Sequence, residues 1–195
     1  GEVVGFAGLL GAGRTELGKA IYGANPVTAG SIEIDGVETS LRAPRDGVRA
    51  GIGFVTEDRK LEGLIQAHGI RSNMSMTGLF RIVGPLGALD KKAERVIVAN
   101  YINAFSIKTH GIDAIVSQLS GGNQQKIVVA REMERNPDIL LVGQPTRGVD
   151  IGAIEFIHKS IVALRDQGKA IILVSVELEE IMSLSDRIAV MFDGH

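Results

Sequence analysis

The sequence contains no cysteine and no tryptophan, and aromatic residues make up only 4% of its 195 positions. Without thiols, disulfides, thiolate nucleophiles and cysteine-ligated zinc are excluded, and the composition fits a reducing compartment. No charge of one sign dominates, since 21 Lys and Arg stand against 23 Asp and Glu, a formal net charge of −2. The global basic field that holds nucleic acid or an anionic membrane surface is missing, so no nucleic-acid partner is expected. No apolar run approaches the roughly 20 residues needed to span a bilayer. His68, His110, His158 and His195 are scattered without ligand spacing, which argues against histidine-bound metal. The opening Gly1-Glu2-Val3-Val4 carries no basic leader, and the chain stops on the turn-like Asp193-Gly194-His195. Both ends read as cut from something longer.

What is present in excess is glycine, at 25 residues. The glycines cluster at the ends of apolar runs, which suits turns and phosphate loops better than a linker. The length allows one compact domain with a sizeable core, and 45% hydrophobic with 23% charged residues is ordinary for a globular chain. Val3 to Leu9 is a continuous apolar run, as expected of a buried parallel strand, followed by a helix from Arg14 to Tyr22. Ser31 to Gly36 alternates polar and apolar residues and predicts an edge or antiparallel strand. Pro44 to Ala50 predicts a short helix leading into a buried strand, Ile52 to Val55.

From about 70 to 118 the pattern turns helical, with Ala93, Val96, Ile97, Tyr101, Ile102 and Phe105 at helical spacing and Asp90 as N-cap. Alternation of helix and strand then resumes: a helix from Gly121 to Arg135, a strand from Ile139 to Val142, and a helix from Ile151 to Gln167. That last helix has Asp150 as cap and Ile154, Ile157, Ile161 and Leu164 as its inner stripe. A strand from Ile171 to Ser175, a helix from Glu177 to Leu184 and a strand from Arg187 to Met191 complete the pattern. Such alternation predicts an α/β fold on a parallel sheet. Lys91-Lys92 and Arg131 to Arg135 read as solvated helix faces. Glu177, Glu179 and Glu180 read as acids favoured at a helix start, with Glu179 and Glu180 alternatively fringing a site.

Three motifs carry chemistry. The first is Gly8-Leu9-Leu10-Gly11-Ala12-Gly13-Arg14-Thr15. A P-loop needs glycines that let backbone N–H groups wrap a phosphate, a lysine for the outer phosphates and a hydroxyl for magnesium. The glycines and Thr15 fit, but Arg14 stands at the lysine position, and a forked guanidinium is no conservative replacement there. An ordinary glycine-rich turn fits this element equally well. Gly8, Gly11, Ala12, Gly13, Arg14, Thr15 and Glu16 are the candidate nucleotide contacts, with Thr15 a weak magnesium candidate. A dinucleotide fingerprint fails, because its third glycine would fall at Glu16.

The second motif is Leu119-Ser120-Gly121-Gly122-Asn123-Gln124-Gln125-Lys126, directly before an apolar-striped helix. Ser120 can cap that helix, and the glycines let its first amides approach an anion. A capped helix start explains Ser120 but not two helix-destabilising glycines. The third is the strand Ile139 to Val142 followed by Gly143-Gln144-Pro145-Thr146-Arg147-Gly148-Val149-Asp150.

In this order and at these separations the three motifs resemble those of an ABC transporter ATPase, and they cover nearly the whole chain. The resemblance implies a P-loop NTPase: a mainly parallel sheet flanked by helices, a helical signature subdomain and a small antiparallel β arm. It implies one domain over 1–195, with the helical subdomain inserted at about 70–118. In that family the third motif's strand ends in an aspartate that supports magnesium and a glutamate that polarises water. Here Gly143 and Gln144 stand there, and a glutamine cannot accept a proton from water at neutral pH. By the same matching, Glu57 replaces the Q-loop glutamine and Val176 the switch histidine, so no catalytic position is intact.

The finer likeness is to the second, degenerate ATPase domain of fused monosaccharide importers. The Gly143-Gln144 pair and the segment from Ile151 to His158 look more like nucleoside-importing relatives. The resemblance implies ATP or ADP as cofactor, with Mg2+ weak or absent at this site. It implies that Ser120, Gly121, Gly122, Asn123 and Gln124 complete the ATP site of a partner domain, and that Asp150 is the D-loop aspartate. The partners it implies are an N-terminal ATPase domain of the same chain, membrane permease subunits and, indirectly, a solute-binding protein. The implied location is the cytoplasmic face of the cell membrane. The rival expectations are a domain active as an ATPase on its own and a non-transport ABC-type protein. Gly121→Asp is expected to break the composite site and leave folding almost untouched.

Overall fold

The structure, a computed structural model, describes residues 1–9, 11–84 and 87–195. Leu10 of the first motif and residues 85–86 of the expected helical stretch lie outside the described residues, as does the side chain of Phe80. The chain divides into two compact units, one of Gly1–Phe54, Pro137–Gln144 and Ile161–His195, the other of Val55–Asn136 and Pro145–Ser160.

The first unit is built on a five-stranded sheet: β1 (Glu2–Gly8), β4 (Ile52–Val55), β5 (Ile139–Gly143), β6 (Ala170–Val174) and β7 (Arg187–Met191), in the order β4-β5-β6-β1-β7. β1 pairs in parallel with both β6 and β7, and β5 pairs in parallel with β6. β5 and β6 are apolar and largely buried along their length, which is why their runs do not alternate. Phe6, Val174 and Gly143 stand in one row of the sheet. The loops that follow β1, β5 and β6 therefore leave from one edge, where parallel α/β sheets place their ligands.

Helix α1 (Arg14–Ile21) packs on β1, β5 and β6, and α7 (Leu178–Leu184) packs on β1 with Ile181 fully buried. Helix α2 (Pro44–Arg49) precedes β4, and the Asp46 carboxylate accepts the N–H groups of Arg42 and Ala43 at its start. The arm is a two-residue antiparallel ladder, β2 (Glu33–Ile34) against β3 (Val37–Glu38), as the alternation predicts. Glu179 and Glu180 stand in the first turn of α7, as expected of helix-start acids, and Glu180 is in addition buried.

The second unit is helical: α3 (Ile70–Ser75), α4 (Lys91–Ala104), α5 (Gly121–Glu134) and the first part of α6 (Ile151–Asp166). A single wide turn, Arg59–Gly63, precedes them, and Asp58 caps it by accepting the N–H groups of Lys60 and Leu61. Asp90 caps α4 as predicted, accepting from Lys92 and Ala93. The inner face of α4 differs from the predicted stripe, for Val96 is exposed while Val98 and Glu94 are buried. Glu94 can be buried because it is paired, with Arg71 at 2.8 Å and the Ser75 hydroxyl at 2.7 Å.

On α6 the buried positions are Ala153, Ile157, Ile161 and Leu164, with Ile154 half-buried. The end of α5 also corrects the sequence reading. Arg131, Glu132 and Arg135 are buried, not a solvated face, and Glu132 binds both arginines at 3.0 and 3.2 Å. Arg131 further donates to the Gly63 carbonyl at 2.6 Å, which ties the wide turn to the helix. Asn73, also fully buried, accepts the Ile65 N–H and donates to the Ile65 and Gly69 carbonyls.

Candidate functional site

In the first unit, the loop after β1 is shaped by its glycines. A Cβ on Gly8 would come 2.4 Å from the Met191 carbonyl oxygen, so the neighbouring strand leaves no room for a side chain. Gly11 and Gly13 take φ of 83° and 93°, in the left-handed region that glycine enters at little cost. Ala12 is buried and its N–H turns back to the Leu9 carbonyl at 3.1 Å. Gly13 is the N-cap of α1 and has no side chain with which to satisfy the helix's first amides. Those amides and the positive end of the helix dipole suit an anion. Thr15 is half-buried in the first turn, and Glu16 is exposed beside it.

Arg14 does not point into solvent. Its side chain is 4% exposed, with Nη1 donating to the Ser175 carbonyl at 2.5 Å and Nη2 to the Leu9 carbonyl at 3.1 Å. Among the described residues no carboxylate pairs with it. A buried guanidinium held only by carbonyl dipoles is a good counter-charge for a phosphate. The loop after β5 begins at Gln144, which is 4% exposed with φ 45°. Its N–H donates to the Val174 carbonyl at 2.8 Å and its Oε1 accepts the Val176 N–H at 3.2 Å. Gly143, at the end of β5, contributes no side chain, and Val176 is exposed and apolar.

The same loop edge therefore fits a phosphate and does not fit a magnesium ion. The ion is normally held through carboxylates, and the donor set offers one threonine hydroxyl and no acid at 143 or 144. Among the described residues no group of three or more His, Cys, Asp or Glu could hold a metal.

In the second unit, Ser120 caps α5, its hydroxyl accepting the Asn123 N–H at 3.4 Å and the Asn123 side-chain amide at 2.9 Å. Asn123 also accepts the Lys108 N–H. Gln124 is buried, and its side-chain amide donates to the Val116 and Leu119 carbonyls. Of this motif's start, Ser120 is exposed, Gly121 and Asn123 are half-buried and Gly122 is buried.

The two glycines have an internal reason in the packing around them. A Cβ on Gly122 would come 2.5 Å from the Asp150 Oδ2. Asp150 caps α6 by accepting the Ala153 N–H at 3.0 Å. Arg59 lies against Gly121 and donates to the carbonyls of Arg147 at 2.6 Å and Gly148 at 3.2 Å. Glu57 reaches Arg147 at 3.4 Å. Burial holds the Arg59 guanidinium below its usual pKa, with the Asp58 charge acting against that and Arg147 with it. The Asp58 carboxyl is held below the usual range, first by the Leu61 N–H. Arg59 thus joins the Glu57–Asp58 segment to the 147–150 segment and the start of α5. Spacing alone does not reveal that role, because the residues are some ninety positions apart.

A family model described as ABC transporter matches residues 1–147. The ribose import ATP-binding protein of Caldanaerobacter subterraneus subsp. tengcongensis is 44% identical over 194 residues, covering 100% of this chain and 39% of that protein. A putative ribose/galactose/methyl galactoside import ATP-binding protein of Burkholderia lata is 45% identical over 194 residues, covering 100% of this chain and 38% of its own length. The chain thus spans about two fifths of the length of these curated relatives. Among solved structures, a dimeric ATP-binding cassette in a post-hydrolysis state with ADP and phosphate matches with a TM-score of 0.83 at 24% identity. That match covers 99% of this chain and 82% of the other. It shows a common fold, the P-loop cassette with its parallel sheet and flanking helices. No helix among the described residues is long and apolar enough to cross a membrane.

Proposed function

The chain belongs to the ABC transporter family, and from that premise we propose that it is an ATP-binding domain of a sugar importer. Its own nucleotide site is defective, and its Ser120-Gly121-Gly122 segment completes the site of a second ATPase domain. The observation that carries this reading is the contrast between the two units. The loop edge of the first has no carboxylate at 143 or 144, and its glutamine oxygen is spent on the Val176 N–H. In the second, Ser120 is exposed at the start of α5 and caps that helix.

A nucleotide bound at the Gly8–Thr15 loop supplies its own phosphate chain, and phosphoryl transfer then needs positioned charge and an activated water. Arg14 offers charge, and the first amides of α1 offer donors. Nothing at 144 accepts a proton, which alone costs about 10²–10⁴-fold. The site is therefore suited to holding ATP or ADP, with Mg2+ weak or absent, and not to turning it over. The second ATPase domain is expected in the same polypeptide, N-terminal to this one. Closure of the pair on ATP is passed to membrane permease subunits at the cytoplasmic face, fed by a solute-binding protein. Ribose or galactose is the proposed solute class, with nucleosides the alternative that the Gly143-Gln144 pair favours.

Ser120 is the clean probe, because it is exposed and its replacement disturbs little packing. In the intact transporter, Ser120→Arg should abolish ATP turnover, whereas Thr15→Ala should leave most of it. The reverse pattern, turnover lost with Thr15 and kept without Ser120, would refute the division of labour.

A further inference from the structure

We propose that Arg14 and Gln144 together clamp a single peptide bond, Ser175–Val176, and so fix the loop after β6 in one position whether or not the Gly8–Thr15 loop holds nucleotide. The inference rests on the reading above in taking that loop as the nucleotide site. It goes further by saying what the altered residues do instead of catalysis.

A trans peptide presents its C=O and N–H on opposite sides of one plane. Here the C=O of Ser175 accepts Nη1 of Arg14 at 2.5 Å, and the N–H of Val176 is taken by Oε1 of Gln144 at 3.2 Å. Both jaws are themselves anchored. Arg14 is held at its other nitrogen by the Leu9 carbonyl, and Gln144 by its own N–H on the Val174 carbonyl. Ser175 is 1% exposed, and its hydroxyl accepts the Glu177 N–H at 3.0 Å, so the next amide is satisfied too. Rotating the peptide would break both bonds at once and leave a buried carbonyl without a partner.

The residue types suit this use. A guanidinium can bridge two carbonyls in a fixed fork, and a single ammonium cannot hold that geometry. Arg14 has five N–H donors, of which two are engaged among the described residues, so a phosphate can be bound without releasing Ser175. Val176 brings no polar side chain that could follow a phosphate. Occupancy and loop position are therefore uncoupled, and Arg14 and Gln144 are positioning residues at a site that binds without switching.

The Val176 amide reports the clamp directly through hydrogen–deuterium exchange of peptides spanning 174–178 in the intact protein. With wild type, adding ATP and magnesium should leave exchange there unchanged. Gln144→Asn keeps an amide and suits the positive φ but is too short to reach Val176. It should speed that exchange by about fivefold to tenfold and make it nucleotide-dependent. Arg14→Lys, a second variant that keeps the charge, should do the same, while Gln144→Glu should retain wild-type protection. Photolabelling with 8-azido-ATP, mapped by peptide mass spectrometry to the Gly8–Thr15 peptide, reports occupancy separately. Nucleotide-dependent protection in labelled wild type, or unchanged exchange in both folded variants, would overturn the clamp. Absence of label would instead overturn the nucleotide-site reading, while exchange in the variants without nucleotide still decides the clamp.

Discussion

A Cβ on Gly121 would lie 2.8 Å from Nη2 of Arg59 and 2.8 Å from the carbonyl oxygen of Gly148. One neighbour is the end of a flexible side chain, but the other is backbone, held at φ 66°. The sequence-based expectation that Gly121→Asp leaves folding untouched is therefore corrected. Gly121→Ala should destabilise the chain by about 1–3 kcal/mol, the usual cost of overpacking, and Gly121→Asp by more. Chemical denaturation of the single variants, of Arg59→Ala and of the doubles checks this. The Gly121→Ala and Arg59→Ala pair should couple by more than about 0.5 kcal/mol, and strict additivity would disprove the contact.

The strands, the main helices and the positions of Gly8, Gly11, Gly13, Ser120 and Asp150 were legible because periodicity, caps and glycine spacing are local signals. Asp90 and Ser120 cap their helices as their residue types demand. What was not legible depends on contacts far apart in sequence. Arg14 and Ser175 are separated by 161 positions, so no spacing rule announces that a P-loop arginine will be spent on a backbone carbonyl. Arg131 to Arg135 looks solvated from composition alone, since charged residues are rarely buried unless paired, and the pairing is visible only once the helix faces are placed.

Glu132 binds Arg131 and Arg135 with its side chain 3% exposed. Replacing it by leucine leaves two guanidinium groups in the interior without that carboxylate, and should cost about 3–5 kcal/mol. Glu155, paired with Lys159 on the surface, is the control, and Glu155→Ala should change stability by less than about 1 kcal/mol. Raising salt should weaken only the second pair, because buried charges are poorly screened. Urea midpoints at low and high salt measure both, and equal losses for the two variants would contradict the burial described.

Asn73 organises the segment before α3, taking the Ile65 N–H at 2.8 Å and donating to the Ile65 and Gly69 carbonyls at 3.1 Å each. Asn73→Ala strands buried backbone groups that each cost about 1–3 kcal/mol when unpaired. The expected total is about 2–4 kcal/mol. At roughly 2–4 °C per kcal/mol for a chain of this size, the melting midpoint should fall by several degrees. Calorimetry that finds a midpoint within one degree of wild type would show that water or a local shift replaces the amide.

Gln144→Glu is the most direct attempt to restore a base, and it should fail. The side chain at 144 is buried, and its oxygen faces the Val176 N–H, so a carboxylate there accepts the same bond instead of holding water. Gly143 still supplies no acid beside it, and Val176 still supplies no polar group across the loop. A well-placed general base is worth about 10²–10⁴-fold, whereas this variant should gain less than about tenfold in phosphate release. The assay is run on the intact protein with Ser120→Arg in the background, which silences the site that Ser120 is proposed to complete. Magnesium-dependent turnover rising a hundredfold or more in that background would mean that the missing carboxylate, and not the geometry around Ser175 and Val176, is what keeps the site inactive.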